Sequence, residues 1–188
     1  MNASHDGEDM SLETFRNALD YDEYVTLGGG EPTLHPLFWQ FFGEALAVSS
    51  EYLWLATNGS IKNTALALAK LAKKGVIGCA LSQDNYHDPI DPEVIEAFTK
   101  DKRQSSAYSD RTPDSREIRN VTGNEINAGR CDFGKNGCAC EDIIIEPDGT
   151  VRACGCEDAP TFGNINTEVN IPDDWEQGTC HKEQPGAK

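Results

Sequence analysis

The chain has 188 residues, with 16 Lys and Arg against 32 Asp and Glu, a net charge of −16, and seven cysteines. The negative charge disfavours nucleic-acid binding, because affinity for phosphate backbones comes largely from Lys and Arg. No apolar run approaches the roughly 20 residues that cross a bilayer, and the first residues contain neither a basic nor an apolar signal region. We therefore expect a cytoplasmic protein, in which cysteines are more often metal ligands than disulfides.

The first hundred residues predict alternating helices and strands, from apolar periodicity, caps and breakers. In chain order they are a helix from Ser11 to about Asp20, a strand over 24–27, a helix over 36–48, a strand over 52–56, a helix over 61–74, a strand over 76–81, a helix opening at 91–93 and a possible strand over 117–121. This order indicates right-handed parallel βα units, whose ligands bind at the carboxyl ends of the strands.

Polar loops over 28–32, 57–60 and 82–88 follow three of these strands. Most βα proteins have polar turns at such positions, but the first loop holds the consecutive glycines Gly28, Gly29 and Gly30. Three glycines in a row cost conformational entropy, which indicates that the backbone must approach another group closely. Glu31 adds a charge at the same place. The loop is not a phosphate loop, because it lacks GK[ST] and the G-x-G-x-x-G spacing.

The run from Val25 to Pro36, VTLGGGEPTLHP, closely resembles the GGE motif of radical SAM enzymes. LATNG, ending at Gly59, is similar to the third strand of that family, and ALSQD, ending at Asp84, is similar to the fourth strand, where S-x-D is common. The resemblance covers roughly residues 10 to 100. It implies an α/β fold, a partial (β/α)6 radical SAM barrel that here lacks its first strand.

The resemblance also implies a binding site for S-adenosylmethionine. In this family the glycine-rich strand end holds the ammonium of the cofactor through backbone carbonyls, which corresponds here to Gly28, Gly29 and Gly30 with Glu31 beside them. Asn58 and Ser82 would approach the carboxylate or the ribose, with Asp84 as a further contributor. The complete enzyme would generate a 5′-deoxyadenosyl radical that abstracts hydrogen from a small-molecule or peptide substrate. An electron donor such as flavodoxin or ferredoxin would be its partner.

The sequence departs from the family at the catalytic cluster. Radical SAM enzymes bind a [4Fe-4S] cluster through C-x-x-x-C-x-x-C after the first strand, whereas this chain has no cysteine before Cys79. We expect the first strand and its cluster loop to be missing from the chain. The chain as written would then not assemble the catalytic cluster, and the catalytic residues are unknown.

Six cysteines lie in the last third of the chain, where the sequence predicts a hairpin. The expected elements are a strand over 143–145, a turn over 147–149 and a returning strand over 150–154. If paired residue numbers sum to about 294, Cys140 faces Cys154 and Cys138 faces Cys156, with all four thiols on one face. Four thiolates suit zinc or an Fe–S cluster, and two cross-strand disulfides are the remaining alternative.

The spacing of Cys138, Gly149 and Cys154, together with PDGTVRAC and the later FGNI, resembles the SPASM and twitch extensions of radical SAM enzymes. That resemblance implies an auxiliary [4Fe-4S] cluster, with Cys131 or Cys180 as further ligands. We thus divide the chain into a partial barrel over 1–130 and a cysteine-rich extension over 131–188. The alternative function is a non-catalytic scaffold or interaction protein with structural zinc in a four-cysteine hairpin.

Three other residues could carry chemistry. Cys79 lies in an apolar segment and is expected to be a small core residue. His35, in the T-L-H-P turn, is expected to orient that loop by hydrogen bonding. For His87, in the loop after the fourth strand of the family pattern, a substrate contact and a structural role remain equally open.

Overall fold

The computed structural model describes residues 7–21, 24–49, 53–83, 88–102, 114–120, 143–155 and 159–176. Within them, the contacts define two compact units. One, the central unit, holds the described residues from 24 to 120, and the other, the terminal unit, holds those of 7–21 and 143–176. The predicted boundary at residue 130 lies outside the described residues.

The described elements confirm the α/β class. In chain order they are α1 (Leu12–Leu19), β1 (Val25–Leu27), a 3-10 helix (Pro32–Leu34), α2 (Phe38–Val48), β2 (Leu53–Thr57), α3 (Lys62–Lys73), β3 (Gly78–Gln83), α4 (Pro92–Thr99), β4 (Arg116–Asn120), β5 (Ile144–Ile145), β6 (Thr150–Arg152), β7 (Thr161–Asn164) and β8 (Glu168–Val169). The 3-10 helix was not predicted, and the other elements of the central unit lie within two residues of their predicted bounds.

The central unit contains a parallel sheet of four strands in the order β1-β2-β3-β4. Leu27 pairs with Leu55, Leu55 with Cys79 and Cys79 with Arg116, so one row of residues crosses all four strands. Parallel neighbours need crossover connections, and α2, α3 and α4 lie in those connections. Closure of this sheet into a barrel stays a prediction.

The third predicted strand begins two residues late, at Gly78 instead of Val76. The reason is the end of α3, where Gly75 has a φ of 68°. Its N–H donates to the carbonyl of Ala72, and the N–H of Val76 donates to the carbonyl of Leu71. This pair of bonds is the Schellman motif, which assigns residues 75 and 76 to the helix terminus.

The helices cover one face of the parallel sheet. Six residues on that face of β2, β3 and β4 are at most 1% exposed: Leu53, Leu55, Thr57, Cys79, Leu81 and Arg116. The helix that covers β4 is α4. The guanidinium of Arg116 donates to the carbonyls of Ala97, at 2.5 Å, and Lys100, at 3.1 Å. Both carbonyls lie at the carboxyl end of α4, where a positive charge is favourable.

The buried guanidinium of Arg116 is neutralised by Asp114, whose side chain is 2% exposed. Its Nε donates to Asp114 Oδ1 at 2.8 Å and its Nη2 to Asp114 Oδ2 at 2.5 Å. A bidentate contact of this kind satisfies the donors and acceptors of both buried side chains. The pair therefore joins β4 to α4.

The terminal unit contains an antiparallel sheet in the order β5-β6-β7-β8. Its core consists of Val151, Ala153 and Phe162, against which Trp175 packs. The rings of Phe162 and Trp175 meet edge to face, with centroids 4.8 Å apart. Such aromatic pairs add stability beyond their buried area.

The β5–β6 hairpin has a different register from the predicted one. Ile144 pairs with Arg152 and Ile145 with Val151, so paired numbers sum to 296 and not 294. The loop closes over three residues, with Gly149 at a φ of 89° and the N–H of Glu146 donating to the carbonyl of Thr150 at 2.9 Å. A left-handed third residue is typical of three-residue hairpin loops. β6 also ends at Arg152, two residues before the predicted end at Cys154.

Helix α1 belongs to the terminal unit. Ser11 caps it, as predicted, by accepting the N–H of Thr14 at 3.0 Å. The amide of Asn166 donates to Thr14 Oγ1 at 3.2 Å and accepts from Asn17 at 3.0 Å. These bonds hold α1 against the turn between β7 and β8, although its place in the sequence suggested a position at the start of the barrel. Among the described helices, none has the length and apolar character needed to span a membrane.

We expect Asp114→Asn to destabilise the chain by about 3–5 kcal/mol, because the buried Arg116 would lose its countercharge. Urea denaturation followed by circular dichroism measures this. As control, Lys100→Gln removes a solvent-exposed ion pair with Glu96, and its midpoint should remain near that of the wild type. Equal midpoints for the two variants would contradict the role assigned to Asp114.

Candidate functional site at the carboxyl edge of the parallel sheet

The loops after β1 and β2 meet at one edge of the central sheet. Leu27 and Leu55 are paired near the ends of these strands, and Thr57 is paired with Leu81 on β3. Parallel strands bring their carboxyl ends to the same edge. The structure therefore collects the glycine loop, Asn58 and Ser82 at this edge, as the sequence predicted.

The glycine loop, residues 28–30, presents its backbone without obstruction. All three glycines are exposed, and a Cβ built on any of them meets no atom of the described chain within 4 Å. Gly29 needs glycine for its φ of +121°, but packing against the described residues does not explain Gly28 or Gly30. Open space at a backbone is what a bound ligand requires.

Glu31 joins the glycine loop to the end of β2. Its Oε1 accepts hydrogen bonds from the N–H and hydroxyl of Thr33, at 3.1 and 2.6 Å, and from the hydroxyl of Thr57, at 2.9 Å. Its Oε2 accepts the N–H of Asn58 at 2.5 Å. We call Glu31, Thr33, Thr57 and Asn58 the Glu31 clamp. Both carboxylate oxygens are used within the protein, and a direct ligand contact of Glu31 stays a prediction.

Thr57 is the buried member of the clamp, with 1% of its surface exposed. Its hydroxyl donates to Glu31 and accepts the N–H of Gly59 at 3.1 Å, so both capacities of the hydroxyl are used. Gly59 follows with a φ of +76°, and a Cβ there would lie 3.0 Å from Leu81 Cδ1 and 3.3 Å from Val94 Cγ1. Only glycine therefore fits this turn.

The other predicted cofactor contacts have different positions. Asn58 is half-buried, and its amide oxygen accepts the N–H of Ser60 at 2.9 Å, which leaves its amide NH2 as the group for a ligand. Ser82 lies near the end of β3, half-buried and paired with Arg119 of β4. Asp84 and His87 lie outside the described residues.

Cys79 and His35 have the structural roles that the sequence predicts. Cys79 is fully buried, and burial, followed by the charges of Glu31 and Glu117, raises the pKa of its thiol to about 12. The thiol is therefore protonated at neutral pH and unsuited to nucleophilic chemistry. His35 Nδ1 accepts the N–H of Leu37 at 3.0 Å, and its ring lies 4.5 Å from that of Phe41. His35 thus fixes the start of α2.

Of the six predicted metal-ligand cysteines, Cys154 alone is described, and it is 3% exposed beyond the end of β6. The other five lie outside the described residues: Cys131, Cys138, Cys140, Cys156 and Cys180. Within the described ranges, no three His, Cys, Asp or Glu side chains are grouped as metal ligands. The four-cysteine site stays a prediction, and the pairing of Cys140 with Cys154 does not agree with the observed register.

Two features of the central unit were missed at the level of sequence. Thr33 and Thr57 complete the Glu31 clamp. No sequence motif relates them to Glu31, and Thr57 is 26 positions away from it. Trp54 on β2 and Arg119 on β4 contact each other over the intervening strand β3, with Arg119 Cζ 5.8 Å from the ring centroid of Trp54. A Trp inside a predicted strand could have indicated a functional face, but its partner depends on strand order.

Comparisons of the chain with protein-family models, with curated proteins and with solved structures found no match. The α/β class therefore rests on the structure alone, and the site is interpreted from its geometry.

We expect Thr57→Val to destabilise the central unit by about 1–3 kcal/mol, because it removes a donor to Glu31 and the acceptor for the N–H of Gly59 while preserving side-chain volume. Thr57→Ser is the matched control: it keeps the hydroxyl and should retain most of the stability. Chemical denaturation of the three proteins measures the effect. A valine variant as stable as the wild type would show that the clamp contributes nothing to the fold.

Proposed function

We propose that the carboxyl edge of the parallel sheet binds S-adenosylmethionine, with the glycine loop as the contact for its ammonium group. The observation that supports this proposal has two parts. The backbone at residues 28–30 is unobstructed, and the carboxylate of Glu31 is hydrogen-bonded to Thr57 and Asn58 within the protein. Backbone carbonyls at such a loop accept hydrogen bonds from an ammonium group. Asn58 and Ser82, at the ends of the next two strands, contact the carboxylate or ribose of the same ligand.

The chain's own contribution is to bind and orient this molecule. The Glu31 clamp holds the ends of β1 and β2 together, so the groups that contact the ligand are positioned before it arrives. Preorganisation of this kind reduces the ordering cost of binding. Bound S-adenosylmethionine supplies radical chemistry when a reduced [4Fe-4S] cluster donates an electron to it. The sequence has no cysteine before Cys79, so we assign no residue of this chain to that catalytic cluster.

The first test of the ligand site uses Gly30→Ala. The φ of Gly30 is not in the left-handed region and space surrounds its Cβ position, so the variant should fold like the wild type. The added methyl group occupies the space by which the ligand reaches the backbone. We expect its dissociation constant for S-adenosylmethionine, measured by calorimetry, to rise at least tenfold, which corresponds to about 1.4 kcal/mol.

The control for this experiment is Gly43→Ala, an exposed helix position on α2 where a Cβ also meets no described atom. It should bind like the wild type and gain slightly in stability. Absence of binding by the wild type would refute the proposed ligand. Equal binding by Gly30→Ala and the wild type would refute the assignment of the glycine loop.

We further propose that Cys138, Cys140, Cys154 and Cys156 hold an auxiliary Fe–S cluster, with Cys131 or Cys180 as additional ligands. The support is the sequence resemblance together with the β5–β6 hairpin, after which Cys154 is buried. A buried cysteine next to a tight hairpin is compatible with a thiolate cluster.

Anaerobic reconstitution with iron and sulfide tests the auxiliary cluster. We expect iron and sulfide to bind, with a broad absorption in the visible-blue region that is lost in a variant with Cys138, Cys140, Cys154 and Cys156 changed to Ala. Cys79→Ala is the control, because that thiol is buried within the central unit, and it should retain the iron. A colourless protein with one tightly held zinc would contradict the cluster and favour a zinc scaffold.

A further inference from the structure

A pocket of about 370 Å³ lies at the carboxyl end of α3, and its lining residues are Lys70, Lys73, Lys74 and Asp114. We call it the lysine pocket. The N–H of Ser115 donates to the carbonyl of Ala72 at 3.0 Å, which places the start of β4 beside this helix end. Parallel strands bring their amino ends to one edge of a sheet, so the pocket lies at the edge opposite to the glycine loop. Its volume is within the range of small-molecule sites.

The three lysines of the pocket are neighbours on the helix surface. Lys73 and Lys74 lie three and four positions after Lys70, and like charges at these spacings destabilise a helix. All three are exposed. The ion pairs between described residues do not include them, because the cations of those pairs are Lys62, Lys100, Arg116 and Arg152. In a chain with 32 acidic and 16 basic residues, a group of three like charges at one helix end indicates an anionic ligand.

Capping of α3 does not require these ammonium groups. A cation is favourable near the last carbonyls of a helix, where it can also cap them. Here the carbonyl of Leu71 accepts the N–H groups of Lys74 and Val76, both at 3.1 Å. The carbonyl of Ala72 accepts those of Gly75 and Ser115, at 2.9 and 3.0 Å. Backbone N–H groups thus satisfy both carbonyls, and the lysine side chains are available to a ligand.

The charge of Asp114 is matched within the protein. Its side chain is 2% exposed, and both of its carboxylate oxygens accept hydrogen bonds from the guanidinium of Arg116. Because the two charges of this pair cancel, Asp114 repels an anion in the pocket less than an isolated carboxylate would. The lysine pocket therefore combines three positive side chains with a wall that is close to neutral.

The chemistry of the three lysines favours phosphate groups. An ammonium group is a point charge that suits phosphate oxygens, whereas the planar fork of arginine is the better match for a carboxylate. One phosphate group carries a charge of about −1.5 to −2 at neutral pH, so two linked groups match three lysines better than one does.

A small ligand fits this pocket better than a nucleic acid. A polymer would also meet the acidic surface of a chain with a net charge of −16. A small ligand is largely screened from charges farther away than about 8 Å at physiological salt, so the three lysines dominate its binding.

We propose that the lysine pocket binds a diphosphate group, either free or as the end of a nucleotide, with its oxygens on the ammonium groups of Lys70, Lys73 and Lys74. The site lies at the amino edge of the sheet and does not rest on S-adenosylmethionine binding at the carboxyl edge. The bound diphosphate relieves the repulsion between the lysines, and by binding the folded state it stabilises the central unit.

Calorimetry with the full chain, in a buffer without divalent metals, tests the ligand. Pyrophosphate should bind saturably and raise the melting temperature, whereas inorganic phosphate and tricarballylate, a small tricarboxylate, should bind at least tenfold more weakly. Equal binding of either would overturn the proposal, because it would show a site for charge alone, and so would the absence of pyrophosphate binding. ADP distinguishes the two sources of the diphosphate: binding tighter than that of pyrophosphate supports a nucleotide, and weaker binding supports the free ion.

Variants then locate the binding groups. Lys70→Gln, Lys73→Gln and Lys74→Gln should each weaken pyrophosphate binding at least threefold, and the triple variant should show no saturable binding. These positions are exposed, and glutamine has a helix propensity close to that of lysine, so the variants should fold. Lys62→Gln is the matched control, because it removes the same charge at the start of α3, and it should bind like the wild type.

Two results with the triple variant would contradict the assignment. Retained pyrophosphate binding would show that the ligand lies elsewhere. The dissociation constant for S-adenosylmethionine should equal that of the wild type, and its loss would overturn a site separate from the glycine loop.

Discussion

The carboxylate of Glu31 is the group on which the candidate site depends. It accepts four hydrogen bonds, from Thr33 twice, from Thr57 and from the N–H of Asn58. Bonds to an ionised acceptor are stronger than neutral ones, and here they connect two loops that the sequence separates by 26 positions. The loop after β1 can therefore contain three consecutive glycines and still have a defined end. The glycine loop precedes Glu31 in the sequence, and the residues that Glu31 contacts follow it.

The sheet below the site holds two polar side chains within its buried face. Among the residues on the face towards the helices that are at most 1% exposed, Thr57 and Arg116 are the polar ones. Both are satisfied, Thr57 by Glu31 and Arg116 by Asp114 and the end of α4. Unsatisfied polar groups at these positions would cost more than they contribute.

The sequence predicts the central unit well because its apolar periodicity and its breakers agree. The predicted loops over 28–32, 57–60 and 82–88 are polar, and each helix of the unit has a sequence signal at one end: Pro36 before α2, Gly75 after α3 and Asp91 before α4. These local signals are sufficient to place the elements and the carboxyl edge. Arg116 could not be placed in this way: a charged residue in a strand is expected to be exposed, and its burial depends on Asp114 and on carbonyls of α4. The partner of α1 was also out of reach, because an amphipathic pattern shows that a helix packs but not on what. The predicted turn over 147–149 is the observed loop, but a loop of these three residues pairs Glu146 with Thr150, so the paired numbers sum to 296 and the expected sum of 294 was wrong.

The order of the strands has a consequence for how the central unit folds. Each strand pairs with the next one in the chain, and the paired residues are 28, 24 and 37 positions apart, as Val25 with Leu53, Trp54 with Gly78 and Cys79 with Arg116. Because closure entropy grows only with the logarithm of loop length, the longest of these closures costs about 0.4 kcal/mol more than the shortest. No pairing in this sheet has to wait for a distant part of the chain. The sheet can grow from any adjacent pair of strands, one βα unit at a time, and an extra unit at either edge would add one interface without altering those already formed.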